Sequence, residues 1–76
     1  MTLDQARKGT VVRILAIADE DERTQLIRLG IGEGCCVTCA ERLPLGPLVV
    51  RCHRQEIALG RKLARRIQVR EEPEQI

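Results

Sequence analysis

The chain has 76 residues, enough for one small domain with a thin core. Its balance of 43% hydrophobic and 32% charged residues is globular rather than disordered, and no apolar run reaches the roughly 18–20 residues that span a bilayer. The net charge is only +2 and Phe, Tyr and Trp are absent, so Leu, Ile, Val, Ala and Cys must build the core, and binding of nucleic acid by stacking bases on aromatic rings is excluded.

In "TLDQARKGT", Thr2 is a candidate N-cap, Leu3 and Ala6 are spaced for one helical turn, and Gly9 ends it. "TVVRILAIA" is β-branched and lies between Gly9 and Asp19, which predicts a strand. The two-residue period puts Val12, Ile14 and Ala16 on one face; Val11, Leu15 and Ile17 on the other are also apolar, so cover on both faces is expected. "DEDERTQLIRLG" predicts a helix with both ends marked. Asp19 or Asp21 caps it, Glu20 and Glu22 suit its positive end, and Leu26 and Leu29 form the buried stripe. Gly30 supplies a left-handed C-terminal residue after which Ile31 packs back.

A second strand, "GEGCCVTCAE", is entered through Gly32 and Gly34, and "RLPLGP" is a turn. "LVVRCHR" is a third strand and "QEIAL" a short fourth. "GRKLARR" is one helical turn with Leu63 and Ala64 inward, "IQVR" closes the sheet, and residues 71–76 are expected to be a frayed tail. The predicted fold class is mainly β, with about five short strands, one α-helix after the first and short helical turns. Curling into a small barrel would remove most open strand edges. One domain is expected over residues 1–76.

Residues 51–70 carry Arg51, Arg54, Arg61, Lys62, Arg65, Arg66 and Arg70 against Glu56 alone, a local charge of +6. A solvated face or a surface for a charged partner fits this stripe. Without aromatic side chains, only weak, salt-sensitive phosphate binding would follow, so no nucleic-acid partner is expected. No apolar core follows Met1, and Arg7 and Lys8 come too late for a secretory leader. A cytoplasmic location with reduced thiols and no membrane insertion is expected.

Three of the four cysteines lie in "GCCVTC", and Cys52 precedes the only histidine, His53. Alternation places Cys35 and Cys39 on the face of Val37, and Cys52 on the face of Leu48 and Val50, whereas Cys36 and His53 point outward. The inward three are expected to be small buried apolar side chains. A zinc knuckle is a poor match, because residues three apart on a strand face opposite ways. If Cys39 pairs with Val50, Cys36 falls opposite His53, where a thiolate and an imidazole could hold a soft metal ion with two ligands. No Gly-rich phosphate loop, Ser/His/Asp set or oriented Cys–His pair is present, so no enzyme, catalytic residue, cofactor or resident metal is expected.

The stretches "KGTVVRILAI", "RLGIGEG", "PLGPLVV" and "EIALGRKLARRIQV" together resemble the ferrous iron transport protein A family, FeoA. Gly9, Ile14, Leu29, Gly30, Gly34 and Pro44 match its first three motifs, and Ile57, Ala58, Leu59, Ala64, Ile67 and Val69 its last. The resemblance implies an SH3-like barrel and a non-enzymatic accessory role on a membrane ferrous-iron permease with a cytosolic GTPase domain. Where the family has ordinary apolar or polar residues, this chain has Cys35, Cys39 and Cys52.

Two surfaces are candidates for the docking this role needs. The turn places Leu43, Leu45 and Leu48 around Pro44 and Pro47, more apolar than a solvent-facing tip requires. Arg61, Lys62 and Arg65 form a basic edge at a helix N-terminus, where cations are disfavoured unless something acidic meets them. Leu43, Leu45, Pro47, Arg61, Lys62 and Arg65 are therefore the expected partner-binding residues, with weak homo-oligomerisation left open. The competing reading is a metal-binding or metal-sensing protein that uses Cys36 and His53.

Overall fold

The computed structural model describes residues 1–72. Five strands, β1 (Val11–Ile17), β2 (Cys36–Arg42), β3 (Leu48–Cys52), β4 (Gln55–Leu59) and β5 (Ile67–Glu71), form one antiparallel sheet in the order β4-β3-β2-β1-β5. A 3₁₀ turn (Leu3–Gln5) precedes β1, helix α1 (Glu20–Arg28) joins β1 to β2, and the single-turn helix α2 (Arg61–Ala64) joins β4 to β5. One core takes side chains from both edge strands, Leu59 of β4 and Ile67 and Val69 of β5. The sheet must therefore curl around it, as a small barrel does.

Helix α1 forms as its sequence directs. The Asp19 carboxylate accepts from the Glu22 N–H at 2.9 Å, and three acidic residues occupy the first turn. At the other end Gly30 takes φ +87°. There the Ile31 N–H reaches the Leu26 carbonyl at 2.8 Å and the Gly30 N–H that of Ile27 at 2.9 Å, a Schellman closure. Leu26 and Ile31 are buried, but Leu29 is 43% exposed, so the helix buries one leucine and not the predicted pair.

β1 departs from strict alternation. Val12 and Ile14 face the core as expected, but the register against β5 shifts between Ile14 and Ala16. After this bulge Ile17 is buried and Ala16 is exposed, the reverse of the predicted faces. Val11 and Leu15 are exposed, so the outer face of β1 is not covered.

The turn before β1 ends at Ala6, ahead of Gly9, which adopts φ +89° in the following turn. β5 runs to Glu71, and the Glu72 N–H donates to the Val11 carbonyl at 3.0 Å. Glu71 and Glu72 thus belong to the sheet and not to a frayed tail; residues 73–76 lie outside the described residues.

Candidate functional site

The β2–β3 hairpin tip is built from Leu43, Pro44, Leu45, Gly46 and Pro47. Proline at the second position of a turn presets φ, and the Gly46 N–H returns to the Leu43 carbonyl at 3.2 Å. A Cβ on Gly46 would lie 3.1 Å from the Leu43 Cβ, so glycine lets Leu43 fold over the turn. Leu45 stands at the apex with 100% of its surface exposed, and Leu43 is 46% exposed. Pro47 is half-buried, and Leu48 is wholly buried core.

Arg61 fixes this tip from outside the hairpin. Its Nε donates to the Gly46 carbonyl at 2.9 Å and its Nη2 to the Leu43 carbonyl at 2.6 Å. These bonds give the cation at the start of α2 acceptors within the fold. The Arg65 Nε lies 4.0 Å from Asp4. Lys62 is exposed and has no ion-pair partner among the described residues. The predicted basic edge therefore divides into a brace (Arg61), a loosely paired arginine (Arg65) and a free lysine (Lys62).

Of the rest of the stripe, Arg51, Arg66 and Arg70 are paired, and Arg54 has no ion-pair partner among the described residues. Arg51 pairs with Glu56 at 3.1 Å, Arg66 with Glu22 at 3.0 Å, and Arg70 with Glu72 at 3.5 Å. Each pair is at least partly exposed, which limits it to about 0–1 kcal/mol. Their effect is to cancel local field, so the +6 of the linear sequence is not presented as one surface.

The cysteines divide as alternation predicts in burial, but not in grouping. Cys39 and Cys52 are buried, Cys35 is half-buried and packs on the core, and Cys36 is exposed. Burial pushes the Cys39 thiol above its ordinary value, and burial followed by the nearby Cys35 does the same to Cys52. The Cys39 Sγ lies 3.8 Å from the Ala6 carbonyl oxygen. Those of Cys35 and Cys52 both meet the Gly30 carbonyl oxygen, at 3.6 Å and 3.8 Å. Sequence reasoning missed this convergence because its centre is a main-chain atom at the end of α1, which no strand periodicity reports.

The Cys36–His53 pair does not form as expected. Cys39 does pair with Val50, but the β2–β3 ladder ends at Thr38 and Arg51. His53 and Arg54 then make a two-residue turn with φ of 51° and 68°, which carries His53 off the strand. Cys36 pairs with Arg13 on β1, and its Sγ is 3.9 Å from the Glu72 carboxylate. No group of three His, Cys, Asp or Glu side chains suited to a metal ion occurs among the described residues.

The FeoA domain family model matches residues 1–71. Among solved structures, an iron uptake regulatory protein, FeoA, is 25% identical with a TM-score of 0.85, over 95% of this chain and 97% of that one. The FeoA protein of Chlorobium tepidum is 26% identical with a TM-score of 0.84, over 93% and 70%. The FeoA of Stenotrophomonas maltophilia, a zinc complex described as a prokaryotic SH3 domain protein, is 25% identical with a TM-score of 0.77, over 92% and 89%. No curated protein is significantly similar in sequence. The small barrel is thus SH3-like.

Proposed function

This chain belongs to the FeoA family of small proteins associated with ferrous-iron transport, and from that premise we propose that it is a cytoplasmic, non-enzymatic accessory protein that docks through its β2–β3 tip. The partner is the cytosolic GTPase domain of a membrane ferrous-iron permease, which the chain regulates or scaffolds. No described helix is long and apolar enough to cross a membrane, so a membrane partner would be met from outside the bilayer.

The observation that carries this reading is Leu45. A fully exposed leucine on a turn held by proline and by two arginine hydrogen bonds is preorganised, so little ordering entropy is lost when it enters a partner's pocket. Leu43 and Pro47 form the apolar flank, and Lys62 and Arg65 supply a polar rim, the pattern of a small interface. Arg61 acts through the tip's shape and not by touching the partner.

The test is binding of the reduced protein to the isolated cytosolic domain of the permease, together with that domain's GTP hydrolysis rate. Leu45→Asp should weaken binding by at least about tenfold, as loss of a central apolar anchor does, with no change in thermal midpoint. Undiminished binding by Leu45→Asp would remove the tip from the mechanism. No binding by the wild-type chain would remove the docking role.

A further inference from the structure

We propose that Cys35 and Cys52, whose thiols converge on the Gly30 carbonyl oxygen, form a two-thiolate site for a thiophilic divalent transition-metal ion such as Zn²⁺. The site is distinct from the hairpin tip and does not depend on the docking reading. Two buried or half-buried thiols could each satisfy themselves as small hydrophobes, but nothing in that role requires them to share one acceptor. Here both sulfur atoms lie on the same oxygen, at 3.6 Å and 3.8 Å.

These distances suit a tetrahedral ion. With metal–sulfur bonds of about 2.3 Å and a metal–oxygen bond of about 2.0–2.2 Å, two vertices of a tetrahedron lie roughly 3.6 Å apart. The Gly30 carbonyl takes no other hydrogen bond among those of the described residues. It projects from a left-handed glycine past the end of α1, where a helix carries its negative pole, which favours a cation. Gly30 is exposed and Cys35 half-buried, so an ion has a way in from solvent.

The fourth vertex is left to water. His53 borders the site, its ring Cδ2 3.8 Å from where a Cβ on Gly30 would stand, yet it does not join the thiols as a third side-chain ligand. An open site with two protein thiolates exchanges its ion more readily than a closed four-ligand centre. On binding, both S–H bonds break, the two protons pass to solvent, and two metal–sulfur bonds form; nothing is oxidised or reduced.

The experiment is titration of the reduced chain with Co²⁺ in the absence of oxygen. Expected are one equivalent bound, a thiolate-to-cobalt charge-transfer band, tetrahedral d–d absorption, and displacement of all three by Zn²⁺. Cys35→Ser and Cys52→Ala should each weaken binding by at least about tenfold, whereas Cys36→Ser should bind like wild type. Cys35→Ser alters a half-buried position, so its fold is retained and checked by thermal unfolding even if Cys52→Ala fails to fold. No charge-transfer band in the wild type, or a band lost in Cys36→Ser and kept in Cys35→Ser, would overturn the site.

Discussion

Gly30 does two things with one backbone conformation. Its φ of +87° closes α1, and it aims its carbonyl at two thiols. A Cβ there would meet only His53, at an ordinary 3.8 Å, so the obstacle to alanine is the left-handed backbone and not space. Gly30→Ala should cost about 1–2 kcal/mol, read as a lower urea midpoint with unchanged slope. A loss under a few tenths would mean that α1 ends by another route. Glu72 is a second residue whose role is set by one contact. Hydrogen bonding from the Arg13 guanidinium holds its carboxyl below the ordinary value of about 4.5, outweighing desolvation, and the charges of Arg13 and Arg70 add to this. A lowered folded value stabilises the protein above the unfolded value, and this contribution disappears as pH falls through the folded one. The urea midpoint of wild type should therefore exceed that of Glu72→Gln at neutral pH, and the two should converge in strong acid. A gap that is independent of pH would show that the ion pair contributes nothing. The glycine was legible in the sequence, because a helix ending in Leu-Gly-Ile states its own closure. The glutamate was not, because the residues just after the last strand read as tail until Arg13 is seen across the sheet.

The hairpins show how far two-residue alternation carries. β2 and β3 each have one buried face, so a slip of one residue would expose every core side chain, and the inward faces expected from alternation, Val37 with Cys39 and Leu48 with Val50 and Cys52, are the buried ones. β1 offered apolar residues on both faces, so its pattern could not reveal the bulge that swaps Ala16 for Ile17. The β3–β4 turn was hidden for a different reason. A two-residue turn with both φ values positive normally announces itself by Asn-Gly or Asp-Gly, and this one is His53-Arg54. Both residues are exposed and held in a region that L side chains disfavour. Replacing the pair by Asn-Gly should raise stability by about 1–2 kcal/mol, measured by denaturant unfolding, with the same hydrogen-exchange pattern in β3 and β4. A loss of stability would indicate that the His53 ring against Gly30 contributes more than the turn strain costs.

At the scale of the molecule, the edge strands of a small sheet decide whether the core stays closed. The outer edge of β5 is covered by the chain's own beginning: Thr2 bridges Gln68, and the Val69 N–H donates to the Met1 carbonyl at 2.9 Å. The Arg42 guanidinium bonds the Ala6 carbonyl, and Leu3 and Ala6 are wholly buried. The first six residues are thus one wall of the core, although the sequence showed only a brief turn ahead of the first strand. Without aromatic side chains each aliphatic contact carries a larger share of a core that, in a chain this size, rarely supplies more than about 3–5 kcal/mol. Leu3→Ala should cost about 2–5 kcal/mol, enough to leave much of the protein unfolded at 25 °C. Leu45→Ala, at a site with no buried surface, should stay within about 0.5 kcal/mol of wild type. Circular dichroism and denaturant unfolding of the two variants side by side check this. A Leu3→Ala variant as stable as Leu45→Ala would mean that the sheet closes without its N-terminal wall, and the edge of β5 would then be open to a partner.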